Sequence, residues 1–228
     1  MLVTLAVPTL TRYDLLVKLI ESAERGSRKP DRYFIVDNGG HLRANLDDGK
    51  LVFPTVKDMQ IVAAANMGVA ASWNLALRRC GDWTIISGDD VELHERTIEK
   101  FIVAAEAPEL QDCGMLVTDQ VGVPEWSLFL HKIALTERVG WYDQKFWPAY
   151  YEDNDYAYRM KLAGEHRYAV AGAGCEHVGS ATVKAMDAAA TERHHFAFCA
   201  CQATYIAKWG GLPGLETRTV PLDVQADL

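Results

Sequence analysis

Carboxylates occur at three separate places in this chain, each where an apolar segment ends or an amphipathic one begins. Asp37 closes one apolar run, Asp89 and Asp90 follow another, and Glu152 and Asp153 open an amphipathic segment. In open α/β sheets, ligands bind in the crevice at the carboxyl ends of the strands. Acids gathered in such a crevice suit a metal ion, a polyhydroxyl substrate and a general base. The pattern therefore predicts an enzyme site assembled from distant parts of the chain.

The elements that must position these acids alternate regularly up to about residue 112 and less regularly afterwards. The predicted strands are 2–7, 32–37, 59–63, 83–87, 114–118, 126–130 and 166–171. The predicted helices are 12–25, 68–80, 94–105, 152–163 and 189–208. Alternating strands and helices favour parallel strand pairing. We therefore predict an α/β fold with a Rossmann-like, mostly parallel sheet, covered by helices on both faces within a single domain.

The composition is that of an ordinary globular protein. With 228 residues, 49% of them hydrophobic, the chain is long enough to bury one substantial core. A net charge of −8 argues against a large nucleic-acid interface, which needs a basic face. No apolar stretch approaches a membrane span and no signal-type segment is recognisable, so we expect a cytoplasmic protein. The five cysteines lack zinc-type spacing and are expected to be reduced and mostly buried.

The loop after the first predicted strand contains no glycine. It reads Pro8-Thr9-Leu10-Thr11-Arg12, whereas dinucleotide-binding folds and P-loops use glycine-rich turns whose backbone N–H groups bind phosphates. Nucleotidyltransferases that activate sugars also generally carry a glycine-rich loop at this place. If phosphates bind to this acidic protein, something other than a glycine-rich loop must neutralise them. The adjacent acids after the fourth predicted strand point to a metal ion.

Six segments, in this order, resemble those of glycosyltransferase family 2, the inverting transferases of the GT-A fold. The segments are VPTLTRYDLLVKLIES, YFIVDNGG, NMGVAASWNLALRRCGDWTIISGDDVEL, YYEDNDYAYRMKLAG, CEHVGSAT and YIAKWGG. The family often has a further acid where this chain has Gly88, which leaves the contacts of that acid unassigned here. We assign residues 1–112 to a nucleotide-sugar-binding half and residues 113–228 to an acceptor-binding and catalytic half.

The resemblance implies a role for each candidate site residue. Asp153 would be the catalytic base, and Glu152 would touch an acceptor hydroxyl or hold the loop. Asp90 and His177 would hold Mn²⁺ or Mg²⁺ on the diphosphate. The residues implied in contacting the acceptor are Trp126 and Tyr151, and those implied in binding the nucleotide sugar are Pro8, Thr9, Arg12, Asp37, Asn38, Asn66, Gly68, Asn74 and Asp89.

Most of these residues also have a structural interpretation that the sequence leaves open. Asp37 suits the start of a turn as well as a contact with the base or ribose, and Asn66 suits a helix cap. Acids in the first turn of a helix are stabilised by its dipole, which would explain Glu152 and Asp153 without catalysis. Adjacent residues point about 100° apart on a helix, so these two acids cannot have the same role.

The implied activity is metal-dependent, inverting transfer of a sugar from a nucleotide diphosphate sugar, with a UDP-sugar as the expected donor, to an acceptor hydroxyl. A glycan, a protein, a lipid-linked sugar, a small metabolite and a modified nucleic-acid base all stay open as acceptors, and the chain could form a homodimer. Two other classes stay open. One is a glycoside hydrolase, whose carboxyl groups must flank one bond. The other is a non-catalytic carbohydrate-binding or nucleotide-binding relative, which Gly88 favours.

Overall fold

The computed structural model describes residues 1–178 and 187–222. Its strands are β1 (Thr4–Thr9), β2 (Arg32–Asp37), β3 (Met59–Ala63), β4 (Trp83–Ser87), β5 (Val91–Leu93), β6 (Met115–Thr118), β7 (Leu128–Lys132), β8 (Arg167–Val170) and β9 (Cys175–His177). Its α-helices are α1 (Tyr13–Arg25), α2 (Leu42–Asp47), α3 (Val69–Arg79), α4 (Thr97–Glu106), α5 (Leu135–Val139), α6 (Glu152–Leu162) and α7 (Ala188–Trp209). Short 3₁₀ helices lie at Pro108–Leu110 and Glu125–Ser127.

Seven strands of the described chain form one sheet in the order β3-β2-β1-β4-β7-β6-β8. Strands β1 to β4 pair in parallel, as do β6 and β8, whereas β7 is antiparallel to both of its neighbours. The remaining strands, β5 and β9, form a separate antiparallel pair. The predicted α/β fold with a mostly parallel sheet in a single domain is confirmed.

The two faces of the sheet bury alternate residues of the same strands, because successive side chains of a strand point to opposite faces. In β1, Leu5 and Val7 belong to the core cluster that includes residues of α1 and α4. Ala6 belongs instead to the cluster that includes residues of α3, α5 and α6. Helices therefore cover both faces of the sheet, as predicted.

The carboxyl ends of β1 to β4 lie at one edge of the sheet because these strands are parallel. The register aligns Thr9 with Asp37, and Asp37 with Ala63. The antiparallel β7 brings its amino end to the same edge, since Ser87 of β4 lies opposite Leu128. The loops after these strands therefore meet the 3₁₀ turn before β7 at the edge where open α/β folds bind ligands.

The structure differs from the predicted elements where the pattern is short. The sequence does not indicate α2, α5, β5 or β9, which are three to six residues long. Elements of that length contain too few repeats of a hydrophobic period to stand out from loops. The segment 126–130, predicted as a strand, begins in the 3₁₀ turn, and strand β7 starts only at Leu128.

All five cysteines are free thiols, but only Cys175 and Cys201 are buried, and Cys199 is exposed. The expectation of mostly buried thiols is therefore wrong for this chain. Although α7 is 22 residues long, neither it nor any other helix within the described ranges is apolar enough over a sufficient length to cross a bilayer.

The buried Asp155 of α6 ties the C-terminal helix α7 to the rest of the protein. Trp209 Nε1 and Lys208 Nζ donate hydrogen bonds to its Oδ1 at 2.8 and 2.7 Å. Arg159 Nε donates to its Oδ2 at 2.9 Å. The carboxylate has no exposed area, so the two cations compensate a charge that water cannot reach. The segment YIAKWGG thus fixes α7 against the helix that carries the candidate base.

Replacing Asp155 by Ala should destabilise the protein, because Lys208 and Arg159 would lose the carboxylate that both contact. Breaking a buried ion pair typically costs about 3 kcal/mol or more. For a chain of this size that corresponds to a fall in melting temperature of roughly 10 °C, measured by thermal unfolding. Asp58→Ala is the matched control, since its pair with Arg32 is half exposed and should contribute less than about 1 kcal/mol. Equal effects of the two substitutions would contradict this role of Asp155.

Candidate active site

Asp90 and His177 are brought together by the pairing of β5 with β9. Val91 lies opposite His177 in this pair, and the Val178 N–H donates to the Asp90 carbonyl at 3.0 Å. The Asp90 Oδ1 lies 3.3 Å from His177 Nε2, with side chains only 15% and 18% exposed. Two residues far apart in sequence therefore converge on one partly enclosed point. The motif that begins at His177 continues through Gly179, which lies outside the described residues.

Gly88 packs closely against the Asp90 carboxylate. A Cβ at position 88 would lie 3.0 Å from Asp90 Oδ1, which is tighter than an ordinary contact. The Gly88 N–H donates to the carbonyl of Ser127 at 2.9 Å. Glycine at this position therefore leaves Asp90 its place beside His177, and any side chain there would force the carboxylate to move.

Asp89 points toward β1 and is buried. Thr9 Oγ1 donates to Asp89 Oδ2 at 2.7 Å. Burial raises the pKa of Asp89 to about 6, against the Thr9 hydrogen bond, which lowers it. Arg12 immediately precedes α1 and forms an ion pair with Asp14. Its Nη2 donates to Asp14 Oδ2 at 2.7 Å. Pro8 belongs to β1 next to Thr9. The structure thus gathers these residues beside Asp89, while their contacts with a nucleotide sugar stay predictions.

Asp37 organises the turn that follows β2. Its Oδ1 accepts hydrogen bonds from the Tyr13 hydroxyl at 2.8 Å and the Gly40 N–H at 3.0 Å, and its Oδ2 accepts one from the Leu42 N–H at 2.9 Å. Asp37 is fully buried. The pKa of Tyr13 is raised to about 12, mainly by burial and to a smaller extent by the hydrogen bond to Asp37. The turn-forming interpretation therefore has direct support, and a contact of Asp37 with the base or ribose stays a prediction.

Asn38 connects β2 to the turn before α3. Its Oδ1 accepts from the Met67 N–H at 2.9 Å, and its Nδ2 donates to Ser72 Oγ at 3.0 Å. Asn66 Oδ1 accepts from the Gly68 N–H at 3.1 Å. These side chains shape the loop between β3 and α3 at the ligand edge of the sheet.

Gly68 lets the start of α3 approach the segment that leads to α6. Its φ is +81°, and a Cβ there would lie 2.8 Å from the Pro148 carbonyl oxygen. The Val69 N–H donates to that same oxygen at 2.8 Å. Asn74, further along α3, is fully buried, with its Nδ2 donating to the Tyr142 carbonyl at 2.8 Å and its Oδ1 accepting from the Tyr142 N–H at 2.9 Å. Asn74 therefore joins α3 to the backbone of Tyr142, and its predicted sugar contact gains no support from this position.

Glu152 and Asp153 line a cleft of about 270 Å³ between the start of α6 and the 3₁₀ turn before β7. The remaining lining residues are Trp73, Pro124, Trp126, Ser127, Ala149 and Tyr150. The indole rings of Trp73 and Trp126 stack with their centroids 6.2 Å apart. Two carboxyl groups thus lie against a largely aromatic wall, the kind of surface on which sugar rings commonly pack.

The backbone before α6 adopts a strained conformation. Tyr150 and Tyr151 have φ values of 82° and 69°, which are uncommon for residues with bulky side chains and persist only where the surroundings enforce them. The Tyr150 hydroxyl lies 2.6 Å from His194 Nε2, and Gln202 Nε2 donates to the Tyr151 hydroxyl at 2.7 Å. Helix α7 thus holds both tyrosines and fixes the direction in which α6 begins.

The two carboxyl groups of the cleft share one environment that disfavours charge. Burial and the neighbouring Asp153 raise the pKa of Glu152 to about 8, and burial also raises the pKa of Asp153. The Oε2 atom of Glu152 is buried and has no hydrogen-bond partner among the described residues. The cleft therefore favours a protonated carboxyl at Glu152 near neutral pH.

Of the two aromatic residues predicted to contact the acceptor, the structure places only Trp126 in the cleft. Tyr151 is buried in a separate cluster with Phe198 and Tyr205, with ring centroids 5.6 and 5.5 Å away. The neighbouring Tyr150 lines the cleft instead. The left-handed turn causes this exchange, because it rotates consecutive side chains away from the positions that a regular helix start would give them.

Ser127 is a site residue that the sequence does not indicate. It lines the cleft with the two acids, and its Oγ lies 3.4 Å from His177 Nε2. Within residues 1–178 and 187–222, no group of three or more histidine, cysteine, aspartate or glutamate side chains is arranged to hold a metal ion. The predicted ligands Asp90 and His177 thus lie together as a pair, and their binding of a metal ion stays a prediction.

Comparison with known proteins identifies the family. The profile of glycosyl transferase family 2 matches residues 4–166, which is most of the chain. The chain therefore belongs to glycosyl transferase family 2 and is a glycosyltransferase. Curated protein sequences give no match.

Several solved structures share the fold. PcManGT, a mannosyltransferase from Pyrobaculum calidifontis solved with GDP-Man and Mn²⁺, has a TM-score of 0.64 and 17% identity over 93% of this chain and 66% of its own. Residues 1–349 of TarS from S. aureus have a TM-score of 0.58 and 11% identity, covering 87% and 71%. The TarS complex with UDP-GlcNAc has a TM-score of 0.57 and 13% identity, covering 79% and 61%. The likeness shows the GT-A fold, and this chain spans about two thirds of the length of those chains.

The protonated state of Glu152 predicts that stability depends on pH. Between its ordinary pKa of 4.5 and about 8, the unfolded state releases the proton that the folded state keeps, so stability falls as the pH rises through this range. Glu152→Gln removes this proton linkage. Its melting temperature relative to wild type should therefore rise by about 3 °C or more from pH 5 to pH 8, since ~1 kcal/mol corresponds to 2–4 °C at this size.

The exposed Glu21 of α1 provides the control for this measurement, because Glu21→Gln removes a carboxylate that water solvates. Its melting temperature should follow the wild-type pH profile. Parallel profiles for wild type and Glu152→Gln would show that Glu152 is ionised at neutral pH.

Proposed function

We propose that this protein transfers a sugar, with inversion, from a nucleotide diphosphate sugar to an acceptor hydroxyl. Asp153 acts as the general base, and Asp90 with His177 holds Mn²⁺ or Mg²⁺ on the diphosphate. The observation that carries this proposal is the position of Ser127. It lines the cleft with Glu152 and Asp153 and contacts His177, so the acids of α6 and the candidate metal ligands lie on two sides of one residue.

Asp153 suits the role of base by its accessibility and its basicity. It is only partly buried and lines the cleft, so a substrate hydroxyl can reach it. The raised pKa of its carboxylate makes it a stronger base than a solvated aspartate. It takes the proton from the acceptor hydroxyl, which attacks the anomeric carbon from the side opposite the leaving diphosphate. Attack from that side inverts the configuration.

Glu152 complements this base as a donor. Its buried carboxyl keeps the proton near neutral pH, and its Oε2 has no partner among the described residues. A protonated carboxyl donates one hydrogen bond, so Glu152 positions the acceptor by donating to one of its oxygens. The two adjacent acids therefore have different roles. Asp153 accepts the proton, and Glu152 orients the hydroxyl.

The donor set at Asp90 and His177 fits a divalent metal ion. Carboxylate and imidazole are ligands of Mn²⁺, and Mg²⁺ is typically held by one or two carboxylates together with substrate phosphates. Asp90 Oδ1 and His177 Nε2 already converge within 3.3 Å, and the first loop offers no glycine-rich phosphate site. When bound, the ion neutralises the charge that develops on the departing diphosphate. Gly88 leaves these ligands free of steric conflict.

The donor proposed is a UDP-sugar, and the acceptor is a hydroxyl-bearing molecule such as a glycan. Solved structures of the same fold contain GDP-Man or UDP-GlcNAc, which supports a nucleotide diphosphate sugar as the class of donor. A glycoside hydrolase would need two carboxyl groups that flank one glycosidic bond, whereas Glu152 and Asp153 are consecutive on one helical turn. The remaining alternative, a non-catalytic relative, predicts no release of nucleotide from the sugar nucleotide.

Replacing Asp153 by Asn should abolish most of the activity. The amide keeps the shape of the side chain but cannot accept the proton, and a general base contributes about 10²–10⁴-fold to rate. We expect kcat to fall at least a hundredfold, on the order of the lower limit for general-base catalysis, in an assay of nucleotide release. Binding of the sugar nucleotide and the melting temperature should stay close to wild type.

Glu152→Gln is the matched comparison, because it removes a carboxyl from the adjacent position of the same turn. It should leave kcat nearly unchanged and alter only the KM of the acceptor, and that modestly, since the amide still donates a hydrogen bond. If Asp153→Asn kept more than about a tenth of the wild-type kcat, the loss would be too small for a general base and the assignment would be wrong.

Binding of the diphosphate should require a divalent ion. Titration of the protein with UDP, followed by calorimetry, should show tight binding with Mn²⁺ and at least about tenfold weaker binding, or ~1.4 kcal/mol, in excess chelator. Asp90→Ala should reproduce the effect of the chelator, whereas Glu92→Ala should not, because Glu92 lies in β5 opposite Glu176 and not opposite His177. Equal affinity with and without Mn²⁺ would contradict metal dependence.

A further inference from the structure

Two side-chain oxygens from separate parts of the chain lie beside the same nitrogen of His177. Asp90 Oδ1 is 3.3 Å from its Nε2, and Ser127 Oγ is 3.4 Å from the same atom. Asp90 lies between β4 and β5, whereas Ser127 ends the 3₁₀ turn before β7. Ser127 is partly buried. The pair of candidate metal ligands therefore has a hydroxyl oxygen as a close third neighbour.

Asp90 and Ser127 also border one small space, which the missing side chain of Gly88 leaves open. A Cβ at position 88 would lie 3.0 Å from Asp90 Oδ1 and 3.8 Å from the carbonyl oxygen of Ser127. That carbonyl accepts from the Gly88 N–H at 2.9 Å, and the Ser127 N–H donates to the Pro124 carbonyl at 2.9 Å. The backbone thus fixes Ser127 against the loop that carries Asp90.

The separations between these atoms suit ligands of a single ion. Mg²⁺ binds its ligands at about 2.0–2.1 Å in octahedral geometry, which places adjacent ligands about 3 Å apart. The measured 3.3 and 3.4 Å differ from this by a few tenths of an ångström, which small side-chain rotations can close. A metal ion bound to His177 Nε2 would also take the lone pair of that nitrogen, so the Ser127 hydroxyl would no longer hydrogen-bond to it and could bind the ion.

A hydroxyl is chemically suited to be the third ligand. Hard divalent cations prefer oxygen, and P-loop proteins hold Mg²⁺ through a serine or threonine hydroxyl together with a carboxylate. A hydroxyl is neutral, so it adds a ligand without adding negative charge to a site that must also accept a diphosphate. Gly88 brings no side-chain oxygen of its own, and Ser127 provides one from a different loop.

We propose that Ser127 binds the divalent ion through its Oγ, as a third protein ligand beside Asp90 and His177. This assignment rests on the proposed function, which places Mn²⁺ or Mg²⁺ at that pair. Three ligands from the protein leave the other positions of an octahedral ion to diphosphate oxygens and water.

The first test uses the metal alone. Titration of the protein with Mn²⁺, followed by the EPR signal of the unbound ion, measures metal affinity without a nucleotide. Ser127→Ala should weaken Mn²⁺ binding about fivefold, or ~1 kcal/mol, and Asp90→Ala should weaken it further because it removes the charged ligand. The matched control is Ser27→Ala, which removes a hydroxyl that donates to Glu99 and should leave Mn²⁺ affinity unchanged.

A second variant distinguishes direct binding of the ion from an indirect effect through His177. Ser127→Cys keeps the shape of the side chain, and a thiol that binds Co²⁺ releases its proton and gives an intense sulfur-to-cobalt charge-transfer absorption in the near ultraviolet. The Co²⁺ complex of Ser127→Cys should show this absorption. Wild type, with its five free cysteines, provides the background, and Ser27→Cys should not exceed it.

Two results would overturn the assignment: equal Mn²⁺ affinity of wild type and Ser127→Ala, or a Co²⁺ spectrum of Ser127→Cys that matches wild type. Weaker UDP binding by Ser127→Ala with unchanged Mn²⁺ affinity would replace it with a direct phosphate contact. A wild-type protein that binds no Mn²⁺ would refute the metal site and its third ligand together. Failure of the proposed transfer alone would appear as a wild-type protein that binds Mn²⁺ but releases no nucleotide from a sugar nucleotide.

Discussion

The first turn of α6 holds three carboxylates, Glu152, Asp153 and Asp155, and the rest of the site depends on how their charges are balanced. Asp155 is compensated by Arg159 and Lys208. Neither of the other two carboxyls forms an ion pair with a cation of the described residues, and the dipole of the helix contributes only about 0.3–1 kcal/mol to each. Like charges this close in a poorly solvated cleft disfavour each other's ionisation. The turn thus holds Asp155, whose carboxylate is compensated by cations of the fold, beside two carboxyls whose pKa values are raised, Glu152 and Asp153.

This balance depends on a helix that lies far from the cleft in sequence. Helix α7 supplies Lys208 and Trp209 to Asp155, and its residues His194 and Gln202 hold the two left-handed tyrosines. Strained backbone persists only where surrounding contacts over-determine it. The C-terminal part of the chain therefore sets the geometry of acids that belong to the middle of the sequence.

The periodic elements could be predicted from sequence because their patterns repeat several times, and the order of strands and helices then led to the α/β fold. The β5–β9 pair could not be predicted, since three-residue strands carry no period. Within the site, the sequence indicates where acids occur but not what their oxygens face. Asp37 and Asp153 both sit at the end or start of an element, yet Asp37 is enclosed by three donors and Asp153 lines a cleft. Tyr150 lines the cleft in place of Tyr151 because the backbone is left-handed at these two residues. No local sequence pattern predicts that conformation.

The reversed direction of β7 has a consequence for how this scaffold can be altered. The connection 119–127 leaves the sheet after β6 and returns through β7, and both strands are held by fixed register, with Leu116 opposite Leu130 and Ile86 opposite Phe129. Loops anchored by such strands accept exchange and insertion more readily than the elements they join. The sequence of this connection, which forms one wall of the cleft, can thus be replaced. Grafting other sequences between positions 121 and 124 would reshape this wall of the cleft and leave intact Ser127, the strand leading to Asp90, and Gln120, whose Oε1 accepts from the Cys175 N–H at 2.8 Å.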